Sequence, residues 1–156
     1  MSNANVELIN RFYQAFQRQD AEAMAACYAP DVQFDDAVFI GLKGRDAGDM
    51  WRMLCSRAKD FSLSFSAVEA DEQRGAAHWT AHYTFSATGR TVVNHIRAEF
   101  VFKDGLIIEH RDHFDLWRWS RQALGLKGLL LGWLPAVQGA IRRQARQGLA
   151  AFQARA

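Results

Sequence analysis

The sequence predicts an α+β domain, and three observations carry the prediction. Apolar residues recur about every 3.6 positions as far as residue 60, and about every 2 from Phe61 onward. Turn-forming residues cut the second region at Gly75, at Thr88-Gly89-Arg90 and at Lys103-Asp104-Gly105. Helices first and an antiparallel meander afterwards put the helices on one face of a sheet. The chain has 156 residues, 49% hydrophobic and 23% charged, which excludes a disordered tail, a collagen-like fibre and a disulfide-stapled miniprotein.

Residues 4–18 place Val6, Ile9, Phe12 or Tyr13, and Phe16 on one helical face, with Asn3 or Asn5 able to cap. Asp20 opens a second helix, whose Ala21, Met24, Ala25 and Tyr28 form an apolar face and which Pro30 ends. Val32-Gln33-Phe34 alternates as a short strand and runs into Asp35 and Asp36. The GLKGRDAGD loop follows, then a third helix through Met50, Trp51, Met53 and Leu54. Strands are expected over 61–70, 76–87, 91–103 and 106–116. One sheet face carries Trp79, Ala81, Tyr83 and Phe85, then Asn94, Ile96, Ala98, Phe100 and Phe102, then Ile108, His110, Asp112 and Phe114. The other carries His78, His82, His95, Arg97, Glu99, Arg111 and His113. The first face is the one for helices to cover, and a carboxylate there is costly unless it is bonded or faces a cavity.

The formal net charge of +2 conceals an asymmetry. Beyond Asp115 there is no acidic residue but seven cations, so residues 1–115 carry −5 and the remainder +7. The start lacks the basic-then-apolar pattern of a secretory signal, and the most apolar stretch, 128–141, is shorter than the ~20 residues a bilayer span needs. A cytoplasmic location is expected.

The segments YAPDVQFDD and, above all, DGLIIEHRDHFD give the chain a family likeness. It resembles the nuclear transport factor 2 superfamily over roughly residues 5–117, in the SnoaL-like branch with ketosteroid isomerase and limonene epoxide hydrolase. The resemblance implies a cone: a strongly curved antiparallel or mixed sheet wrapped on three N-terminal helices around a deep apolar pocket. It implies a cone domain over 1–116 and a homodimer formed through the outer sheet face; residues 117–156 lie beyond that fold and read as a basic helical extension. Asp36 falls where the isomerase keeps its proton-abstracting carboxylate. Asp112 falls where the epoxide hydrolase keeps a catalytic carboxylate, near the acid/base aspartate of SnoaL-type cyclases. Phe12 and Ala98 stand where the isomerase has its oxyanion tyrosine and protonated aspartate. Trp79 and Ala81 replace the arginine and aspartate of the epoxide hydrolase, so neither mechanism transfers whole.

Asp36 and Asp112 are therefore the candidate acid–base pair, in a site lined by Phe12, Trp51, Trp79, Tyr83, Asn94, Ala98, Phe100 and Phe114. Apolar surroundings should raise at least one of the two pKa values toward neutrality. The competing structural roles are a turn cap at Asp35 or Asp36 and an arginine ion pair at Asp112. His110, two residues before Asp112, is a candidate proton relay or a satisfied core histidine. Tyr83 and Asn94 are the candidate replacements for the absent oxyanion donors. The spacing of the outer-face histidines matches no standard metal site, Cys27 and Cys55 read as small core hydrophobes, and no cofactor or nucleic-acid partner is expected. The expected ligand is a small hydrophobic molecule, either turned over or only bound. From Pro135 a helix is expected that packs on the body or rests on an anionic membrane surface as a peripheral contact.

Overall fold

The computed structural model describes residues 3–57 and 60–155. Helix α1 (Ala4–Gln17) is capped by the Asn3 side chain, which accepts from the Asn5 amide, and buries both Phe12 and Tyr13. Asp20 caps α2 (Ala21–Ala26) in the same way through the Ala23 amide. Tyr28 belongs not to that helix but to strand β1 (Tyr28–Asp35), because Pro30 cannot continue a helix and fits an extended chain. The glycine-rich loop resolves into β2 (Leu42–Lys43), a turn at Gly44 and the start of α3 (Arg45–Arg57). Gly44 has φ +57°, and a Cβ there would lie 3.1 Å from the Pro30 carbonyl oxygen.

Four long strands follow: β3 (Ser62–Ala70), β4 (Arg74–Phe85), β5 (Arg90–Lys103) and β6 (Leu106–His113). The sheet order is β2-β1-β6-β5-β4-β3, with β1 parallel to β6 and every other pair antiparallel. Register shifts interrupt β1–β6, β3–β4 and β5–β6, and such bulges bend the sheet around α1 and α3. The bulge in β6 corrects one predicted side. Phe102 pairs with Ile107 and Val101 with Glu109, so Ile107, not Ile108, is the fully buried residue. His110 and Asp112 keep their predicted inward facing. The strand ends at His113 rather than 116, because the Asp115 side chain accepts from the Arg118 amide and starts α4 (Leu116–Leu124).

The segment after the sheet forms three helices rather than the single one expected. Helix α4 lies on β5, where Leu116, Trp119 and Ala123 surround Val92 and the Gln122 amide bonds both backbone groups of Val93. Helix α5 (Leu126–Leu131) meets α4 backbone to backbone, since a Cβ at Gly128 would overlap the Ser120 carbonyl and one at Gly132 the Ser120 hydroxyl. Helix α6 (Pro135–Arg155) returns to the body and buries Leu149 there. Arg142 Nε donates to the Ala37 carbonyl at 2.9 Å, Arg146 to that of Ile40, and Gln153 to Asp46 and Asp49.

Adding a methyl at the α4–α5 contact tests this packing. Gly128→Ala should cost about 1–3 kcal/mol through overpacking, read as a Tm lowered by several degrees in calorimetry. An unchanged Tm contradicts the contact.

Candidate functional site

The centre of the fold is polar. His110 is completely buried, and the rings of Phe12, Tyr28, Phe34, Trp51 and Phe100 surround it with centroids 4.5–6.2 Å away. Both imidazole nitrogens are bonded: Nδ1 lies 2.7 Å from Tyr28 Oη and Nε2 lies 2.9 Å from Asp112 Oδ1. Trp51 Nε1 donates to the same Tyr28 oxygen at 2.8 Å. An indole can only donate, so the Tyr28 oxygen accepts there. The one proton arrangement that leaves no buried donor orphaned runs in a single direction: Trp51 to Tyr28, Tyr28 to His110 Nδ1, His110 Nε2–H to Asp112. Reversing it strands the Tyr28 hydroxyl proton in an apolar core, at about 1–3 kcal/mol.

Asp112 ends this chain. Its Oδ1 also lies 3.5 Å from Trp79 Nε1, and no arginine pairs with it among the described residues. Ala98 is its cross-strand neighbour and is fully buried, so a methyl occupies the space on that side. Tyr13 packs against Trp79 and Phe100, with ring centroids 6.1 and 6.3 Å away, and its buried hydroxyl has no partner among the described residues. Burial, with the Asp112 charge adding to it, holds the Tyr13 phenol protonated well above its usual range.

Asp36 lies just past the end of β1, the strand parallel to β6. Its Oδ1 accepts from the Val38 amide at 2.7 Å and the Phe39 amide at 2.6 Å, so it does cap a turn. Asp35 holds the same loop by accepting from the Gly41 amide. Capping does not keep Asp36 acidic. Burial outweighs the two backbone bonds, Asp112 and Asp35 add repulsion, and its pKa is pushed up to about 7. Arg142 and Arg146 of α6 clasp carbonyls of this same loop, at Ala37 and Ile40.

The structure thus brings Asp112, His110, Trp79, Trp51, Phe12, Phe100 and Ala98 together around one polar chain. Tyr83 lies outside this hydrogen-bond chain, half-buried, with its oxygen accepting from Trp119 Nε1 at 2.7 Å and close enough to Asp36 for that charge to help raise its pKa; Phe114 packs against the same Val92 cluster, and Asn94 is buried on β5 opposite Ala81. The two hydroxyls at the site, Tyr13 and Tyr28, are not the ones the sequence singled out. For Tyr13 the signal was present, since helical phase allowed either it or Phe12 to face inward. His78, His82, His95 and His113 are exposed on the outer face, and no group of three metal-ligating side chains converges among the described residues. The two best-formed depressions are open and superficial, about 470 and 390 Å³, and neither is lined by Asp36, Asp112 or Tyr13.

Comparison with known proteins fits this geometry. The model of the SnoaL-like domain family matches residues 9–110. Among solved structures, an NTF2-like protein of unknown function from Burkholderia pseudomallei superposes with a TM-score of 0.68 at 21% identity, covering 78% of this chain and 98% of its own. A Xanthomonas campestris protein assigned as a polyketide cyclase gives 0.64 at 24% identity, covering 76% and 96%. An LEH-like epoxide hydrolase of Mycobacterium tuberculosis gives 0.65 at 21%, covering 83% and 96%. No curated protein matches the chain by sequence.

Two measurements check the site. Between the ordinary Asp value of 3.8 and about 7, folded Asp36 holds a proton that the unfolded chain has lost. Its contribution to stability is therefore complete below about pH 4 and is lost as pH rises through about 7. Asp36→Asn keeps the capping oxygen, so the fall in urea midpoint across that window should shrink in the variant. Tyr28→Phe leaves His110 Nδ1 and the Trp51 N–H unpaired and should cost about 1–3 kcal/mol in urea denaturation. A neutral result for Tyr28→Phe contradicts the hydrogen-bond chain.

Proposed function

Starting from a chain that belongs to the SnoaL-like domain family, we propose that it is a general acid–base catalyst acting on a small hydrophobic substrate with its own side chains. The class is that of the isomerases, ring-forming cyclases and epoxide hydrolases that share its fold. The observation that carries the reading is Asp112, a buried carboxylate bonded by His110 and by Trp79, with the unpartnered Tyr13 hydroxyl on a ring that packs against that same Trp79. A fully buried polar pair flanked by an orphan donor is expensive for a purely structural core.

Each group takes one role. His110 and Trp79 both bond Oδ1 of Asp112, which leaves Oδ2 to remove the substrate proton. On a carbonyl substrate the electron pair of the broken C–H bond moves onto the substrate oxygen, where the Tyr13 O–H stabilises the developing charge; on an epoxide Oδ2 takes a proton from the attacking water, whose oxygen bonds the ring carbon as the C–O electron pair passes to the ring oxygen. Asp36, protonated up to about pH 7, returns a proton to the product. Trp51, Tyr28 and His110 orient the base without touching substrate.

The test is turnover of a panel: a cyclic unsaturated ketone, an aromatic polyketide ester and a terpene epoxide. On the substrate that reacts, Asp112→Asn should lower kcat by about 10²–10⁴-fold and Tyr13→Phe by about 10²-fold. The rate should fall as pH rises through about 7, where Asp36 loses its proton. A rate unchanged in Asp112→Asn contradicts the reading.

A further inference from the structure

Seven large hydrophobic side chains are exposed among the described residues, and five of them fall within residues 126–133: Leu126, Leu129, Leu130, Leu131 and Trp133. Leu126 is 70% exposed, and Leu130 and Trp133 are 58% each. The way α5 is held makes this unavoidable. Its glycine side lies against Ser120 of α4 too closely to admit a single Cβ, so the helix cannot roll to bury its leucines. Two indoles fix it further, Trp117 Nε1 donating to the Leu129 carbonyl at 3.2 Å and Trp133 Nε1 to that of Leu130 at 3.0 Å. A clustered apolar patch of this kind on an otherwise polar surface marks an interaction site.

Cations border the patch. Lys127 is exposed within α5, and the Arg121 guanidinium stacks on Trp117, 4.6 Å from the ring centroid. Arg121 also lines an open depression with Arg90, Arg118, His95 and Gln122. No carboxylate side chain occurs after Asp115 to neutralise them. The family model ends at residue 110, before any of these helices.

We propose that α5 and the basic side of α4 dock the protein on an anionic lipid surface. Leu126, Leu130 and Trp133 enter the boundary between headgroups and acyl chains, while Arg118, Arg121 and Lys127 meet the lipid phosphates. No helix of the described residues is long and apolar enough to cross a membrane, so the contact is peripheral. Charge decides against a second copy as the occupant: a two-fold contact through this patch would oppose the cations of both chains with no acid of the segment between them.

Flotation of the full chain with vesicles tests the proposal, using phosphatidylcholine with or without phosphatidylglycerol. The protein should float with the anionic vesicles and bind about tenfold less to neutral ones or at high salt. Leu130→Ser/Trp133→Ser and, separately, Arg118→Gln/Arg121→Gln should each lower binding about tenfold with circular dichroism unchanged, since these side chains lie at the surface. No flotation, or equal flotation of wild type and both variants, overturns the proposal. So does a dimer in size-exclusion chromatography that the Leu130→Ser/Trp133→Ser variant abolishes without any vesicle binding.

Discussion

An imidazole with no exposure to water must have both of its nitrogens bonded, and the rest of this fold is arranged to supply those bonds. His110 comes from β6, its partner Asp112 from two residues further along the same strand face, and Tyr28 from the parallel neighbour β1. The Trp51 indole reaches the Tyr28 oxygen from α3. Three elements thus build one hydrogen-bond chain through that ring, and the aromatic side chains of α1, β1, α3 and β5 exclude the water that would otherwise serve it. Desolvation makes such a network all-or-none: satisfied it rigidifies the centre, and broken at one link it leaves a donor or acceptor with nowhere to turn.

The same desolvation gives the two aspartates different characters. Asp112 receives two N–H donors, one from His110 and one from Trp79, and both reach the same oxygen, Oδ1. Asp36 has only the amides of its own turn, and burial defeats them, lifting its pKa to about 7. A carboxyl that keeps its proton up to about pH 7 can act as an acid on a substrate at neutral pH. The clasp of α6 on the 36–40 loop ties the C-terminal helices to that site, while the leucines of α5 face solvent.

Much of the fold was legible because period-2 alternation reports directly which side of a strand faces the core. The inward facing of Trp79, Ala98, Phe100, His110 and Asp112 follows from it. It fails where the register slips: the extra residue at 107–108 moved burial from Ile108 to Ile107, and no local pattern announces a bulge. Asp36, His110 and Asp112 were legible as polar residues in costly positions. Tyr28 was not, and helical phase left Tyr13 an alternative to Phe12, because which hydroxyl reaches which partner depends on how α1 and β1 cross the sheet. The exposed leucines of α5 are a third case. No helix was read there from the sequence, and the close approach of Gly128 and Gly132 to Ser120 turns the leucines to solvent.

The central claim is that Asp112 is a carboxylate oriented by a proton on His110 Nε2. Long-range ¹H–¹⁵N correlation spectra of histidine-labelled protein read that proton directly. The account predicts a His110 signal with Nε2 protonated and Nδ1 bare, accepting from Tyr28. A proton on Nδ1 with Nε2 bare would make Asp112 the donor and leave it no capacity to act as a base, contradicting the account at its core.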